Sequence, residues 1–185
     1  MKFYILIPVY RAEAFLEASL ASVFAQTWQD FEVVLVDDGS PDGSGALCDR
    51  LAAGDARVHA LHQENTGPYG ARRAAIRYCL DRGRSTDWAV FLDADDSLKP
   101  NALETIAKAH RETGGDLIFI GEDQVQGGKV LRPFPRDMAF IGTVTDKARL
   151  YKIFFQDGWY NPLWKKACST DWICRGATTG FEFQI

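Results

Sequence analysis

Residues 31–40 read FEVVLVDDGS, an apolar run that ends in two carboxylates, a glycine and a serine. The β-branched and aromatic residues favour a strand, and their unbroken apolarity indicates that both faces of this strand are buried. Gly39 and Ser40 are turn-forming residues, so we expect the strand to end near Asp37 and Asp38. Burial on both faces is typical of a strand in a parallel sheet that helices cover on either side.

Four further segments have the same character, and helical patterns separate them. The additional strands are predicted at residues 3–9, 57–62, 88–92 and 116–120. Apolar residues recur at helical spacing within residues 16–24, 71–79 and 103–110. This alternation predicts an α/β fold of Rossmann type, with a mainly parallel sheet and helices on both faces.

The pattern changes after Gly121. Residues 124–130, QVQGGKV, predict a hairpin, and residues 145–155 predict a helix. We therefore divide the chain into a core at 1–121 and a short segment at 122–185, within one compact domain. In the second part, Trp159, Tyr160 and Trp164 have three open interpretations: they stack on a sugar, rest at a membrane surface, or close a small core.

Composition narrows the classes of function. The 185 residues carry a formal net charge of -4 with a pI near 5.4, which argues against a nucleic-acid partner because such partners need a basic surface. No run reaches the roughly 18 apolar residues of a membrane span. The N-terminus has no small-residue cleavage site, and the four cysteines contain no Cys-x-x-Cys pair, so reduced thiols and a cytoplasmic location are expected.

A second acidic cluster follows the fourth predicted strand. Residues 91–96 read FLDADD, placing Asp93, Asp95 and Asp96 within four positions. Such carboxylates repel one another, whereas Mg²⁺ or Mn²⁺ takes oxygen ligands and commonly shares a carboxylate or two with phosphates. Because ligands gather at the carboxyl ends of parallel strands, a shared site with Asp37 and Asp38 is expected. An ordinary Asp-rich loop remains the alternative.

Four motifs, in this order and spacing, resemble the inverting nucleotide-sugar glycosyltransferases of family 2, which have the GT-A fold. They are the opening strand, helix and nucleotide loop (5–44), ENTGPYGARRAAI (64–76), FLDADDSLKPNALE (91–104) and YNPLWKKA (160–167). The resemblance is close from residue 4 to about 120 and weaker beyond. It implies transfer of a sugar, from a UDP-sugar by preference, to a hydroxyl group of a glycan or lipid-linked acceptor, with peripheral contact to a membrane.

The resemblance also implies roles for individual residues. Pro8 and Tyr10 would line the base pocket, with Asp38 accepting a hydrogen bond from the base, and Asp37 would also bind the nucleotide-sugar. At the other end of the donor, Asp93 would face the ribose or the metal, Asp95 would bind Mn²⁺ or Mg²⁺, and Arg72 would approach the carboxylates or the diphosphate.

The chain departs from the family pattern where the catalytic base is expected. Glu182 is followed by Phe183 rather than by the usual Asp, and Asp123 has the right preceding residue but comes early in the chain. Arg11 and Arg73 stand where the family usually has Asn. The acceptor-side segment is short, as if truncated.

These departures keep three alternatives open. The chain could be a truncated relative that binds its donor without transferring the sugar. It could be a haloacid-dehalogenase-like phosphatase, because FLDADDSL is close to that family's motif, although the motif normally follows the first strand. A phospho-receiver domain is the third.

Overall fold

The computed structural model describes residues 1–119, 123–126, 129–132, 166–171 and 173. Within them the chain forms, besides the helical residues Thr170, Asp171 and Ile173, four helices of at least nine residues and eight strands. In chain order these are β1 (Phe3–Val9), α1 (Leu16–Phe24), β2 (Phe31–Asp38), α2 (Ser44–Gly54), β3 (Val58–Gln63), α3 (Gly67–Arg82), β4 (Trp88–Phe91), α4 (Ala102–Thr113), β5 (Leu117–Phe119), β6 (Gln124–Gln126), β7 (Lys129–Arg132) and β8 (Lys166–Ser169).

The main sheet has six strands in the order β3-β2-β1-β4-β8-β5. Strands β1 to β4 are parallel, whereas β8 runs antiparallel to both of its neighbours, β4 and β5. The mainly parallel sheet is therefore confirmed. Strand β8 comes from the predicted acceptor-side segment, and the division at residues 121 and 122 stays a prediction.

The predicted hairpin is confirmed as a separate two-stranded sheet of β6 and β7. Three other predictions lie outside the described residues: the helix at 145–155, the aromatic group of Trp159, Tyr160 and Trp164, and Glu182. No helix in the described part of the chain combines the length and apolarity needed to cross a membrane.

Two apolar cores lie on opposite faces of the sheet, because successive side chains of a strand point to opposite sides. In β1, Phe3, Ile5 and Ile7 belong to the core that α1, α2 and α4 cover, whereas Tyr4 and Leu6 belong to the core under α3. The α3 face is made of small side chains, Ala71, Ala75 and Cys79, so this helix approaches the sheet closely. Helices on both faces are thus confirmed.

The carboxyl ends of β1, β2 and β4 lie at one edge of the sheet. Val9 is level with Asp37 in the register of β1 and β2, so both strands finish together. The chain runs from β1 outward to β3 and then returns to β4 on the other side of β1. Ligands of open α/β sheets bind where the strand order reverses in this way, since the loops on the two sides diverge and leave a crevice.

Candidate functional site

A cleft of about 410 Å³ opens at this point of reversal. It lies between the loop after β1, the end of β2, the start of α3 and the loop after β4. Its walls contain all the predicted donor and metal residues except Asp37, namely Pro8, Tyr10, Asp38, Arg72, Asp93 and Asp95. Asp38 and Asp95 are far apart in sequence, and the fold brings them to one cavity.

Asp38 is held by three hydrogen bonds to the same oxygen atom. Its Oδ1 accepts from Gln63 Nε2 at 2.6 Å, from the Thr66 backbone N–H at 2.9 Å and from Thr66 Oγ1 at 3.2 Å. The residue is only 3% exposed. Among the described residues nothing donates a hydrogen bond to Oδ2, so this oxygen is available to a ligand in the cleft.

Gln63 and Thr66 are therefore part of the site, although the sequence analysis assigned them no role. Thr66 lies within the Asn-x-Gly motif that marked the family, and Gln63 ends β3 beside it. The only signal that could have found them is the parallel pairing of β2 with β3, which places Asp38 level with Gln63.

Asp37 points to the opposite side of the strand from Asp38, as alternation requires. Its Oδ2 lies 3.1 Å from His62 Nδ1, and its Oδ1 accepts the Ser40 backbone N–H at 3.1 Å. His62 Nε2 in turn lies 2.9 Å from Asp49 Oδ1. The Asp49 and Asp37 carboxylates raise the pKa of His62. Asp37 thus supports the loop after β2 and does not line the cleft.

Arg72 and Asp93 form a buried ion pair at the other end of the cleft. Arg72 Nη2 donates to Asp93 Oδ1 at 2.6 Å, with the Arg72 side chain 7% exposed and that of Asp93 24% exposed. Burial raises the pKa of Asp93, and the positive charge of Arg72 opposes that increase. The pair fixes the loop that presents Asp95, which is exposed at the cleft wall.

A preformed metal cage is absent from the part of the chain that the structure describes. No three His, Cys, Asp or Glu side chains there lie close enough together to hold an ion. Asp93 and Asp95 supply hard carboxylate oxygens, which suit Mg²⁺ or Mn²⁺ when substrate phosphates complete the coordination. The donor set therefore fits a cation shared with a phosphorylated ligand and does not fit a permanently bound structural metal.

Tyr10 and Arg11 form an exposed wall of the cleft. The Tyr10 ring is 46% exposed, and the Arg11 guanidinium carbon lies 5.4 Å from its centroid. Arg11 has φ = 53°, the one positive φ among the described residues other than glycine. For a side chain with a Cβ this conformation costs about 1–2 kcal/mol, whereas an exposed cation–π contact contributes about 0.5–1 kcal/mol. The contact of the Arg11 side chain with Tyr10 therefore does not exceed the cost of this conformation.

Hydrogen bonds from the neighbouring loop maintain this strained conformation. The Arg11 backbone N–H donates to Ser40 Oγ at 3.3 Å, and the Ala12 N–H donates to Ser44 Oγ at 2.9 Å. Both acceptors follow β2, so the loop after β1 is tied to the Asp38 side of the cleft. The sequence analysis noted Arg11 only as a departure from Asn.

Of the two candidates for a catalytic base, Asp123 is not brought to the cleft. Asp123 Oδ2 accepts from Lys99 Nζ at 2.6 Å, and Asp123 is not among the residues that line the cleft. Glu182 lies outside the described residues.

A second cavity of about 430 Å³ lies at the opposite edge of the sheet, near the amino ends of the strands. Two of its carboxylates already have partners within the fold: Lys2 Nζ donates to Glu32 Oε1 at 2.6 Å, and the backbone N–H of Lys2 donates to Asp87 Oδ1 at 3.0 Å. We therefore take the cleft at the carboxyl ends as the candidate site, in spite of its slightly smaller volume.

Comparison with known proteins agrees with this architecture. The crystal structure of residues 1–349 of S. aureus TarS in complex with UDP superposes with a TM-score of 0.74 and 23% identity. The match covers 96% of this chain and 49% of that one, and it confirms the GT-A fold. At this level of identity it shows the fold alone.

Two curated relatives are more similar in sequence. Glycosyltransferase GlyG of Streptococcus pneumoniae is 35% identical over 116 residues, which cover 62% of this chain and 37% of the relative. Undecaprenyl-phosphate mannosyltransferase of Micrococcus luteus is 42% identical over 109 residues, or 58% of this chain and 43% of the relative. The chain thus spans less than half the length of these two proteins.

The model of one protein family, "Glycosyl transferase family 2", matches residues 4–172. This match includes the whole cleft and extends through strand β8. The chain therefore belongs to glycosyl transferase family 2.

Proposed function

We propose that this chain binds a nucleoside-diphosphate sugar, with UDP as the nucleotide, and transfers the sugar to a hydroxyl group with the help of Mn²⁺ or Mg²⁺. The observation that supports this proposal best is the single cleft that joins a buried acceptor, Asp38, to an acidic end formed by Asp93 and Asp95. The distinct chemistry of these two ends matches the two ends of a nucleoside diphosphate. The phosphatase alternative loses its support, because the chain belongs to glycosyl transferase family 2.

The Asp38 end is proposed to bind the base. Tyr10 offers an exposed aromatic face for stacking. Asp38 Oδ2 can accept a hydrogen bond from the N3–H of uracil. Neutral cytosine has no hydrogen on N3 and cannot donate this bond. The TarS neighbour was solved with UDP, which is consistent with this choice of nucleotide.

The acidic end is proposed to bind the diphosphate through a divalent cation. Asp95 and Asp93 would hold the ion, and Arg72 would keep Asp93 ionised and correctly placed. When bound, such an ion neutralises the negative charge that develops on the leaving diphosphate. Residues 1–121 would then form the donor-binding core.

The proposed reaction is a single displacement at the anomeric carbon. The acceptor oxygen forms the new bond as the bond to the diphosphate oxygen breaks, so the configuration inverts. A carboxylate must take the acceptor's proton on the side opposite the diphosphate. The candidates are Glu182 and Asp123, and the latter would first have to release Lys99. A chain without a working base would bind the donor and stop there.

We further propose a glycan or lipid-linked acceptor, at the cytoplasmic face of a membrane. The names of two relatives support this class: the undecaprenyl-phosphate mannosyltransferase and the minor teichoic acid biosynthesis protein GgaA of Bacillus subtilis.

Calorimetric titration of the full chain with UDP, with and without Mn²⁺, tests the proposal. Mn²⁺ should strengthen binding of UDP to the wild type, and Asp95→Asn should remove at least about tenfold of that gain, or 1.4 kcal/mol. Asp81→Asn is the control, because Asp81 is an exposed carboxylate on α3 outside the cleft. Wild-type protein that fails to bind UDP in the presence of Mn²⁺ would refute the proposed function.

A further inference from the structure

The backbone conformation of Arg11 costs more than its side-chain contact with Tyr10 contributes. Its φ of 53° suits Gly or Asn far better than Arg. Its guanidinium contacts the exposed face of Tyr10, and no ion pair with an acidic side chain is found for it among the described residues. Backbone strain maintained by the surrounding loops is a feature of binding sites.

The position of Arg11 places its guanidinium at the base end of the cleft. The backbone N–H of Arg11 donates to Ser40 Oγ, two residues beyond Asp38, and the Arg11 side chain lines the cleft there. The diphosphate end is formed by Arg72, Asp93 and Asp95 on the β4 side. A nucleotide whose phosphates lie toward β4 directs its base toward β2. The edge of the base farthest from the ribose then faces the loop that carries Arg11.

We infer that Arg11 is a specificity-determining residue that donates a hydrogen bond to O4 of a uracil base while Asp38 accepts its N3–H. This inference rests on the proposed function. The two side chains line the same cleft and supply an acceptor and a permanent donor, which match the adjacent N–H and C=O groups of a keto pyrimidine. The stacking of the guanidinium on Tyr10 limits its motion and directs it into the cleft.

The test compares UDP with 4-thio-UDP, in which sulfur, a weak acceptor, replaces O4 while N3–H is retained. Affinities are measured by calorimetry in Mn²⁺ for the wild type, Arg11→Asn, Arg11→Lys and the control Arg73→Asn. Arg73 is an exposed arginine on α3 that does not line the cleft, so it undergoes the same change of charge without the proposed contact.

The wild type should bind UDP about tenfold more tightly than 4-thio-UDP, because a hydrogen bond from a charged donor is lost. In Arg11→Asn this preference should disappear through weaker UDP binding, while the thermal midpoint stays the same or rises because Asn relieves the strain. Arg11→Lys should retain part of the preference, and Arg73→Asn all of it.

An Arg11→Asn protein that keeps the preference for UDP would overturn the inference. An equal loss of affinity for UDP and 4-thio-UDP would also overturn it, because that result would indicate that Arg11 contacts the phosphates. A lowered thermal midpoint with unchanged preference would show a purely structural role. Failure of the wild type to bind UDP would instead refute the proposed function and remove the basis of this inference.

Discussion

Replacement of Asp38 by Asn should exchange a hydrogen-bond acceptor in the cleft for a donor while leaving the fold intact. Three donors converge on Oδ1, from Gln63 and Thr66, so the carbonyl oxygen of Asn must occupy that position. The amide NH₂ group then takes the place of Oδ2 and presents a donor to the ligand. The N3–H of uracil would face another donor where the wild type offers an acceptor.

The expected loss of UDP affinity follows from the hydrogen bonds that change. Loss of a hydrogen bond to a charged acceptor costs about 1.5–3 kcal/mol, and the opposed donors add to it. We expect UDP to bind Asp38→Asn about 30- to 150-fold more weakly, equivalent to about 2–3 kcal/mol. The three bonds to Oδ1 persist with a neutral acceptor, so the free energy of unfolding should fall by only about 1–2 kcal/mol.

The assay is calorimetry with UDP and CDP in Mn²⁺, together with urea unfolding. Cytosine N3 is an acceptor, so the new NH₂ group should improve CDP binding and shift the preference away from UDP. Asp37→Asn is the matched control: the neighbouring carboxylate contacts His62 and Ser40 outside the cleft, so this change should reduce stability without altering the preference. An Asp38→Asn protein with wild-type UDP affinity, or with an unchanged ratio of UDP to CDP affinity, would refute the reasoning.

Three further predictions concern stability, each measured by urea unfolding. The pKa of His62 is raised by its two carboxylate partners. The stabilisation that protonated His62 contributes should therefore be complete below its unfolded-state pKa and disappear as the pH rises through its folded-state pKa. A stability difference between wild type and His62→Gln that is constant from pH 5.5 to 8.5 would contradict this. Gly39→Ala should cost more than Gly114→Ala, because both have positive φ but only the first would place a Cβ 2.9 Å from the backbone nitrogen of Asn65; equal costs would exclude that collision. Leu103→Ala should cost about 2–5 kcal/mol, since Leu103 is fully buried, and a cost below 1 kcal/mol would show that the core closes around the missing atoms.

Strands β1 to β5 were predictable because their apolar runs are short, continuous and bounded by turn residues. Strand β1 begins and ends at the predicted residues, and β2 ends at Asp38, just before the turn residues Gly39 and Ser40. Strand β8 was not predicted, because its segment has no clear apolar pattern. Helix α2 was not identified, because it buries little beyond Ser44, Leu47 and Cys48 and so has a weak apolar pattern. Its packing against β2 and β3 stabilises a helix that local spacing does not indicate.

The composition of the site was predictable from its position along the chain. Asp38, Asp93 and Asp95 each follow a strand, and parallel strands end at a common edge. Where two identical residues are adjacent, the sequence did not show which of the two side chains faces the cleft. Asp37 and Asp38 have equal standing in the sequence, yet strand alternation sends one to His62 and the other to the cleft.

By itself, the sequence determined the alternation of strands β1 to β5 with helices α1, α3 and α4 and the loops that carry the acidic residues, because these depend on short-range patterns of burial and turn formation. Only the tertiary structure decided which groups work together. The Gln63 and Thr66 bonds to Asp38, the Arg72 pairing with Asp93 and the strained Arg11 beside Tyr10 arise between segments that are distant in sequence or from a backbone conformation imposed by a neighbouring loop. Long-range register and side-chain direction, which residue types alone do not encode, set these contacts.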